Sequence, residues 1–237
     1  MPLLLNNNKN ITNLSLYLIF KRNELYSKDF YKCIEQNTSL KKISFKTVKL
    51  ILSGEVSMAV ICDCVIGTLF DALINNKSLK TIKFKLYNLG FLLSGVKIRF
   101  DLIVKLLQNN NRIKNLSIKK IKNNNNSELD DIDDVNSFLN YLQSNNTLKK
   151  LKIYSNNLNS NLLALVIKNN KTLEYLDLLN SKIQNIDLML KYLKTNTTLK
   201  YLNIKNIVIE DKFYDKETIN DIIKEILEYN KNIKIDY

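Results

Sequence analysis

Residues 148–158 read Leu148-Lys149-Lys150-Leu151-Lys152-Ile153-Tyr154-Ser155-Asn156-Asn157-Leu158, an L-x-x-L-x-L stretch followed by a polar turn and a further leucine. The spacing of two between Leu151 and Ile153 is strand alternation, so these two point to one face while Lys150 and Lys152 point to the other. Three residues ahead of Leu148 stands Asn145. The same order of helix-like segment, Asn and apolar opening recurs at Asn8/Ile11, Asn37/Leu40, Asn76/Leu79, Asn110/Ile113, Asn170/Leu173, Asn196/Leu199 and Asn230/Ile233. In-phase recurrence of this kind decides the architecture, because each unit leaves an apolar strand and helix face that only a neighbouring copy can bury.

Apolar residues fill positions 1, 4 and 6 of every unit but the last, as in Leu40, Ile43, Phe45 or Leu199, Leu202, Ile204. The last unit runs one residue short, Ile233 to Tyr237, as a terminal copy facing water is expected to. Helical periodicity precedes the strands, for example Leu102, Ile103, Leu106, Leu107 and Ile222, Ile223, Ile226, Leu227. The chain holds only four Gly and one Pro, so the anchor asparagines are expected to supply the chain reversals as left-handed helix caps.

These triads resemble the leucine-rich-repeat family, in particular its ribonuclease-inhibitor-like branch. Residues 148–158 carry the whole family consensus L-x-x-L-x-L-x-x-N-x-L through Leu148, Leu151, Ile153, Asn156 and Leu158. The resemblance spans Ile11 to Ile235 and implies an α/β solenoid over 1–237. That fold would be a single-domain horseshoe of about eight irregular repeats, with a parallel concave sheet and convex helices. At the consensus Asn position the other complete units carry Ile19, Val48, Tyr87, Ile121, Ser181 and Ile207, which suggests turns held by packing. Anchor spacings run 29, 39, 34, 35, 25, 26 and 34 residues. The longest contain an apolar insertion over 46–67 and an Asn/Asp-rich segment over 119–135, the latter expected as a flexible loop leading into a helix from Ser137 to Gln143. A third insertion spans Glu210 to Lys216.

Composition bounds the function. No stretch approaches the ~20 apolar residues of a membrane span, and the opening Met-Pro-Leu-Leu-Leu is too short an apolar region for a signal peptide. Three cysteines, Cys33, Cys62 and Cys64, form no framework, which fits a reducing, cytoplasmic setting. The net charge of +13 goes with abundant Asn, Lys, Ile and Tyr, the residues AT-rich codons favour. A very AT-rich genome, of the amoeba or large-DNA-virus type, accounts for much of the lysine without any acidic partner. Without a single His, Ser-His-Asp and Cys-His catalysis are excluded and no enzyme is expected. Cys62-x-Cys64 lacks further ligands, and Asp130, Asp131, Asp133 and Asp134 lack the Gly turn and terminal Glu of an EF-hand, so neither a metal nor another cofactor is expected.

The placement of charge says more than its total. If the apolar triads face the core, the alternate residues line the concave face, and these include Lys42, Lys46, Lys83, Lys85, Lys119, Lys150, Lys152, Tyr154, Tyr175, Tyr201 and Lys205. Asp177 is the one acid among them, and Lys152, pointing outward, is expected to matter little for folding. Such a face suits an acidic protein partner, with Tyr supplying contact area. The second reading is nucleic acid or another polyanion, since Lys with interleaved Tyr neutralises phosphates and stacks bases, although Arg is scarce. No membrane partner is expected.

Overall fold

The computed structural model describes residues 10–21, 28–51, 58–87, 100–121, 132–154, 158–183, 186–209 and 216–237. The chain divides into two compact units, Met1–Ser127 and Glu128–Tyr237. Both have a solenoid-like α/β fold, in which an α-helix returns the chain from one strand of the parallel face to the next. The first unit runs β1 (Asn13–Lys21), α1 (Lys28–Gln36), β2 (Lys42–Ile51), α2 (Met58–Asn75), β3 (Thr81–Tyr87), α3 (Phe100–Asn109) and β4 (Asn115–Ile121). Its strands lie side by side in chain order, all parallel, with Leu14 opposite Ile43, Ile43 opposite Ile82 and Ile82 opposite Leu116. The second runs α4 (Ile132–Ser144), β5 (Lys150–Tyr154), α5 (Ser160–Asn169), β6 (Tyr175–Asp177), β7 (Lys182–Ile183), α6 (Asp187–Leu193), β8 (Tyr201–Asn203), β9 (Val208–Ile209), α7 (Lys216–Tyr229) and β10 (Lys234–Asp236). Here β5, β6, β8 and β10 form the parallel face, while β7 and β9 pair beyond the turn.

The apolar triads are the core. Leu151, Leu176 and Leu202, in register on β5, β6 and β8, are fully buried, as are Ile43, Ile82 and Leu116 in the first unit. Phe45 and Phe84 stack at 5.5 Å between ring centroids, and Phe70 of α2 stacks on Phe84 at 5.6 Å, so the helix is fixed to its own sheet by aromatic contact.

What joins one repeat to the next is the anchor asparagine, though not as a left-handed cap. Asn170 has φ −72 and ψ 128, an extended conformation. Its Oδ1 accepts from the Thr172 and Leu173 amides at 2.8 and 2.7 Å, closing a turn into the strand, while its Nδ2 donates to the Leu142 and Asn145 carbonyls at 2.6 and 2.9 Å. The same rule places Asn76 Nδ2 on the Ile34 and Asn37 carbonyls, Asn110 Nδ2 on those of Leu73 and Asn76, and Asn230 Nδ2 on those of Leu193 and Asn196. Asn196 reaches the Ile167 carbonyl. Each of these amides is buried and each satisfies the free carbonyls at the end of the preceding repeat's helix, a need no glycine could meet. Among the described residues the left-handed asparagines are Asn180 and Asn206, with φ 59 and 55, in the turns that follow β6 and β8.

Two further expectations change, those for 119–135 and for Ser181. The 119–135 segment is not loop throughout, since Lys119–Ile121 complete β4 and Ile132–Val135 open α4, which contains the expected helix; residues 122–131 lie outside the described ones. The 46–67 insertion extends β2 to Ile51 and starts α2 at Met58. Ser181, at the consensus Asn position, is not held by packing alone, because its Oγ donates to the Ile153 carbonyl at 3.2 Å from a fully buried site. Asn156 and Glu210 to Asp215 lie outside the described residues. Among the described residues no helix is long and apolar enough to cross a membrane.

Candidate binding faces of the two sheets

In a parallel sheet in register, each outward position forms a row running across the strands at ~4.8 Å per step. The first unit has three such rows. One runs Asn13, Lys42, Thr81, Asn115; the next Ser15, Ser44, Lys83, Ser117; the third Tyr17, Lys46, Lys85, Lys119. No carboxylate occurs at any of these twelve positions. Lys46 lies 5.1 Å from the Tyr17 ring centroid and donates to the Tyr17 hydroxyl at 3.4 Å, and Tyr17 is 53% exposed. Along the edge where the chain enters the strands, Lys41, Lys80 and Lys114 follow one another, linked by the Lys80 amide to the Lys41 carbonyl and the Lys114 amide to the Lys80 carbonyl.

The second unit uses the same positions differently. Its first row is Lys150, Tyr175, Tyr201, Lys234, in which the two rings stack at 4.4 Å and 14°. Lys150 lies 5.8 Å from the Tyr175 centroid and Lys234 5.7 Å from that of Tyr201, so the outer ring faces of the pair are covered by cations. The next row, Lys152, Asp177, Asn203, Asp236, brings carboxylates beneath the phenols. Asp177 is nearly buried; its Oδ2 accepts from Lys152 Nζ at 2.7 Å and from the Tyr154 hydroxyl at 3.4 Å, and its Oδ1 from the Leu179 amide at 3.2 Å. Lys152 Nζ also donates to the Tyr175 hydroxyl at 3.2 Å. Tyr201 donates to Asp236, which Lys234 approaches at 3.4 Å. At the strand-entry edge Glu174 stands between Lys149 and Lys200, at 3.0 and 3.3 Å.

Proton affinities follow from these contacts. Burial alone would lower the Lys152 pKa, but the bonds to Asp177 and Tyr175 outweigh it and hold the ammonium above its usual range. Burial, and after it the Asp177 charge, raises Tyr154. The bond to Asp236 raises Tyr201, and the same bond lowers Asp236. Glu174 is lowered by Lys149 and then Lys200.

The structure therefore places Lys42, Lys46, Lys83, Lys85 and Lys119 on the outward face of the first unit, and Lys150, Lys152, Tyr154, Tyr175 and Tyr201 on that of the second. Lys205 is exposed just past β8. Lys152 is not the free outward cation its alternation suggests, because Asp177 in the neighbouring strand neutralises it. Lys234 and Asp236 complete the aromatic rows although their repeat is too short to be recognised by its triad. Reading the second position of each repeat as a column would have exposed the run Lys41, Lys80, Lys114, Lys149, Glu174, Lys200 and its single acid.

No family model matches the chain, and no curated protein does. Among solved structures it is similar to the actin-binding site 2 of leiomodin-1, with 18% identity, a TM-score of 0.37, and coverage of 64% of this chain and 76% of that one.

Proposed function

We propose that the protein is a non-enzymatic, cytoplasmic binding scaffold of the ribonuclease-inhibitor-like kind, which holds an acidic protein partner on the outward faces of its parallel strands. The pairing of each strand with a full α-helix supports the branch, and the buried thiol of Cys33 suits a reducing compartment. One observation carries the functional reading: the twelve outward positions of the first unit's strands hold five lysines, three of them in one row, and no carboxylate. A preformed sheet surface loses little entropy on binding, and a basic one accelerates encounter with an acidic partner at low salt. In the second unit the edges of Tyr175 and Tyr201 are the parts of these rings that meet a partner, since their faces are stacked or covered by lysines and their hydroxyls are bonded to Lys152 and Asp236.

Affinity capture from native cells, with and without nuclease, tests this. Protein partners that survive nuclease and are lost on K83E/K85E support the reading. Recovery of nucleic acid alone, with log-log salt dependence near 0.7 to 0.9 per phosphate neutralised, would replace it with the polyanion reading.

A further inference from the structure

The two units carry the same fold and repeat columns but opposite charge economies. In the first, Lys46, Lys85 and Lys119 are direct register neighbours in one row, and Lys41, Lys80 and Lys114 follow one another along the strand-entry edge. In the second, Glu174 stands between Lys149 and Lys200 along that edge, and the middle row, which in the first unit is Ser15, Ser44, Lys83 and Ser117, carries Asp177 against Lys152 and ends on Asp236 beside Lys234; the positions matching Lys46, Lys85 and Lys119 hold Tyr154, Leu179 and Lys205. Like charges directly opposite in adjacent strands destabilise a sheet, so a Lys-Lys-Lys row is a cost to the folded chain. Uniform codon bias toward lysine does not explain why acids stand at the in-register outward strand positions of one unit and at none of the twelve in the other.

We propose that anion capture is confined to the first unit, and that its occupant is an extended, carboxylate-rich polypeptide segment of the partner laid across β1–β4. This rests on the acidic-partner reading and deepens it. Lysine ammoniums are point charges that pair with single carboxylates without the planar fork that favours phosphate, and the chain has only three arginines. Among the side chains between the lysines, the hydroxyls of Ser15, Thr81 and Ser117 are donors of the kind a peptide backbone or carboxylate accepts, whereas the Asn13 and Asn115 amides already donate to Thr12 and Thr81. Base stacking has no support in the second unit, where Tyr175 and Tyr201 already stack on each other between two lysines.

The test uses the full chain and a fluorescein-labelled glutamate-rich peptide, with a single-stranded oligonucleotide of equal charge as comparison, followed by anisotropy. K46Q/K85Q/K119Q should weaken peptide binding by about tenfold or more, K150Q/K205Q/K234Q by less than about threefold. K46R/K85R/K119R should restore it, and K32Q/K191Q, on the helices, should leave it unchanged. Far-ultraviolet circular dichroism confirms folding of each variant. Equal losses from the two strand-face sets would overturn the confinement to the first unit while leaving the acidic-partner reading standing. Tight oligonucleotide binding with none to the peptide would overturn both.

Discussion

Lys152 Nζ lies 2.7 Å from Asp177 Oδ2, a charge pair joining two neighbouring repeats on the face where Asp177 was expected as the one acid among lysines and tyrosines. Asp177 is 3% exposed at its side chain, whereas Lys152 remains accessible. Lys152→Ala should therefore destabilise the protein by about 1 to 2 kcal/mol, since a nearly buried carboxylate loses its cation while water replaces part of the interaction. Lys150→Ala should stay within about 0.5 kcal/mol. Equal urea midpoints for the two variants would contradict the pairing.

Asn170→Gly separates the two roles an anchor asparagine can have. A left-handed cap would tolerate glycine, but an amide that holds four backbone groups would not. The variant should lose at least about 2 kcal/mol in chemical denaturation, with Asn180→Gly, at positive φ, close to neutral.

Leu151→Ala removes a fully buried side chain that neighbours Leu176 across the strand interface. The expected cost is about 2 to 5 kcal/mol, read from the shift in urea midpoint at unchanged slope.

Lys85 has lysine on both sides in its row. Lys85→Gln should raise stability by about 0.2 to 0.5 kcal/mol at low salt, and the gain should shrink as salt screens the repulsion. A destabilised variant would show that the row is not under charge strain.

Tyr201 and Tyr154 should ionise later than ordinary phenols in an absorbance titration at alkaline pH, and Tyr201→Phe should remove one late component. The folded pKa of Tyr201 is raised, so its contribution to stability is complete below the unfolded value of about 10 and is lost as pH climbs toward the folded one. At the acid end, Glu174 and Asp236 are lowered, so their contributions are present above ordinary carboxylate pKa values and disappear only as pH falls through the lower folded ones. Glu174→Gln should lessen the acid-side loss.

The strands, helices and inward triads were legible because burial enforces a period that Leu151, Leu176 and Leu202 repeat without exception. The role of the anchors was not. Asparagine suits both a left-handed turn and a buried hydrogen-bonding hook, and only the proximity of the previous repeat's carbonyls, a tertiary fact, decides for the hook at Asn76, Asn110 and Asn170. The site was legible as a set of columns, but charge pairing across rows depends on strand register. That is why Asp177 was visible as a lone acid and its neutralisation of Lys152 was not.

Five anchor amides reach backward, while that of Asn145 donates to the Tyr141 hydroxyl and Thr147 Oγ1. Asn76 and Asn110 in the first unit, and Asn170, Asn196 and Asn230 in the second, each find their acceptors in the repeat already laid down. A repeat of this kind acts as the mould for its successor, whatever the length of chain between them, which ranges here from the 25 residues separating Asn170 from Asn145 to the 39 separating Asn76 from Asn37. A duplicated segment would thus meet a ready pair of carbonyls. The face can lengthen by gene copying while each new strand remains at liberty to change its outward side chains.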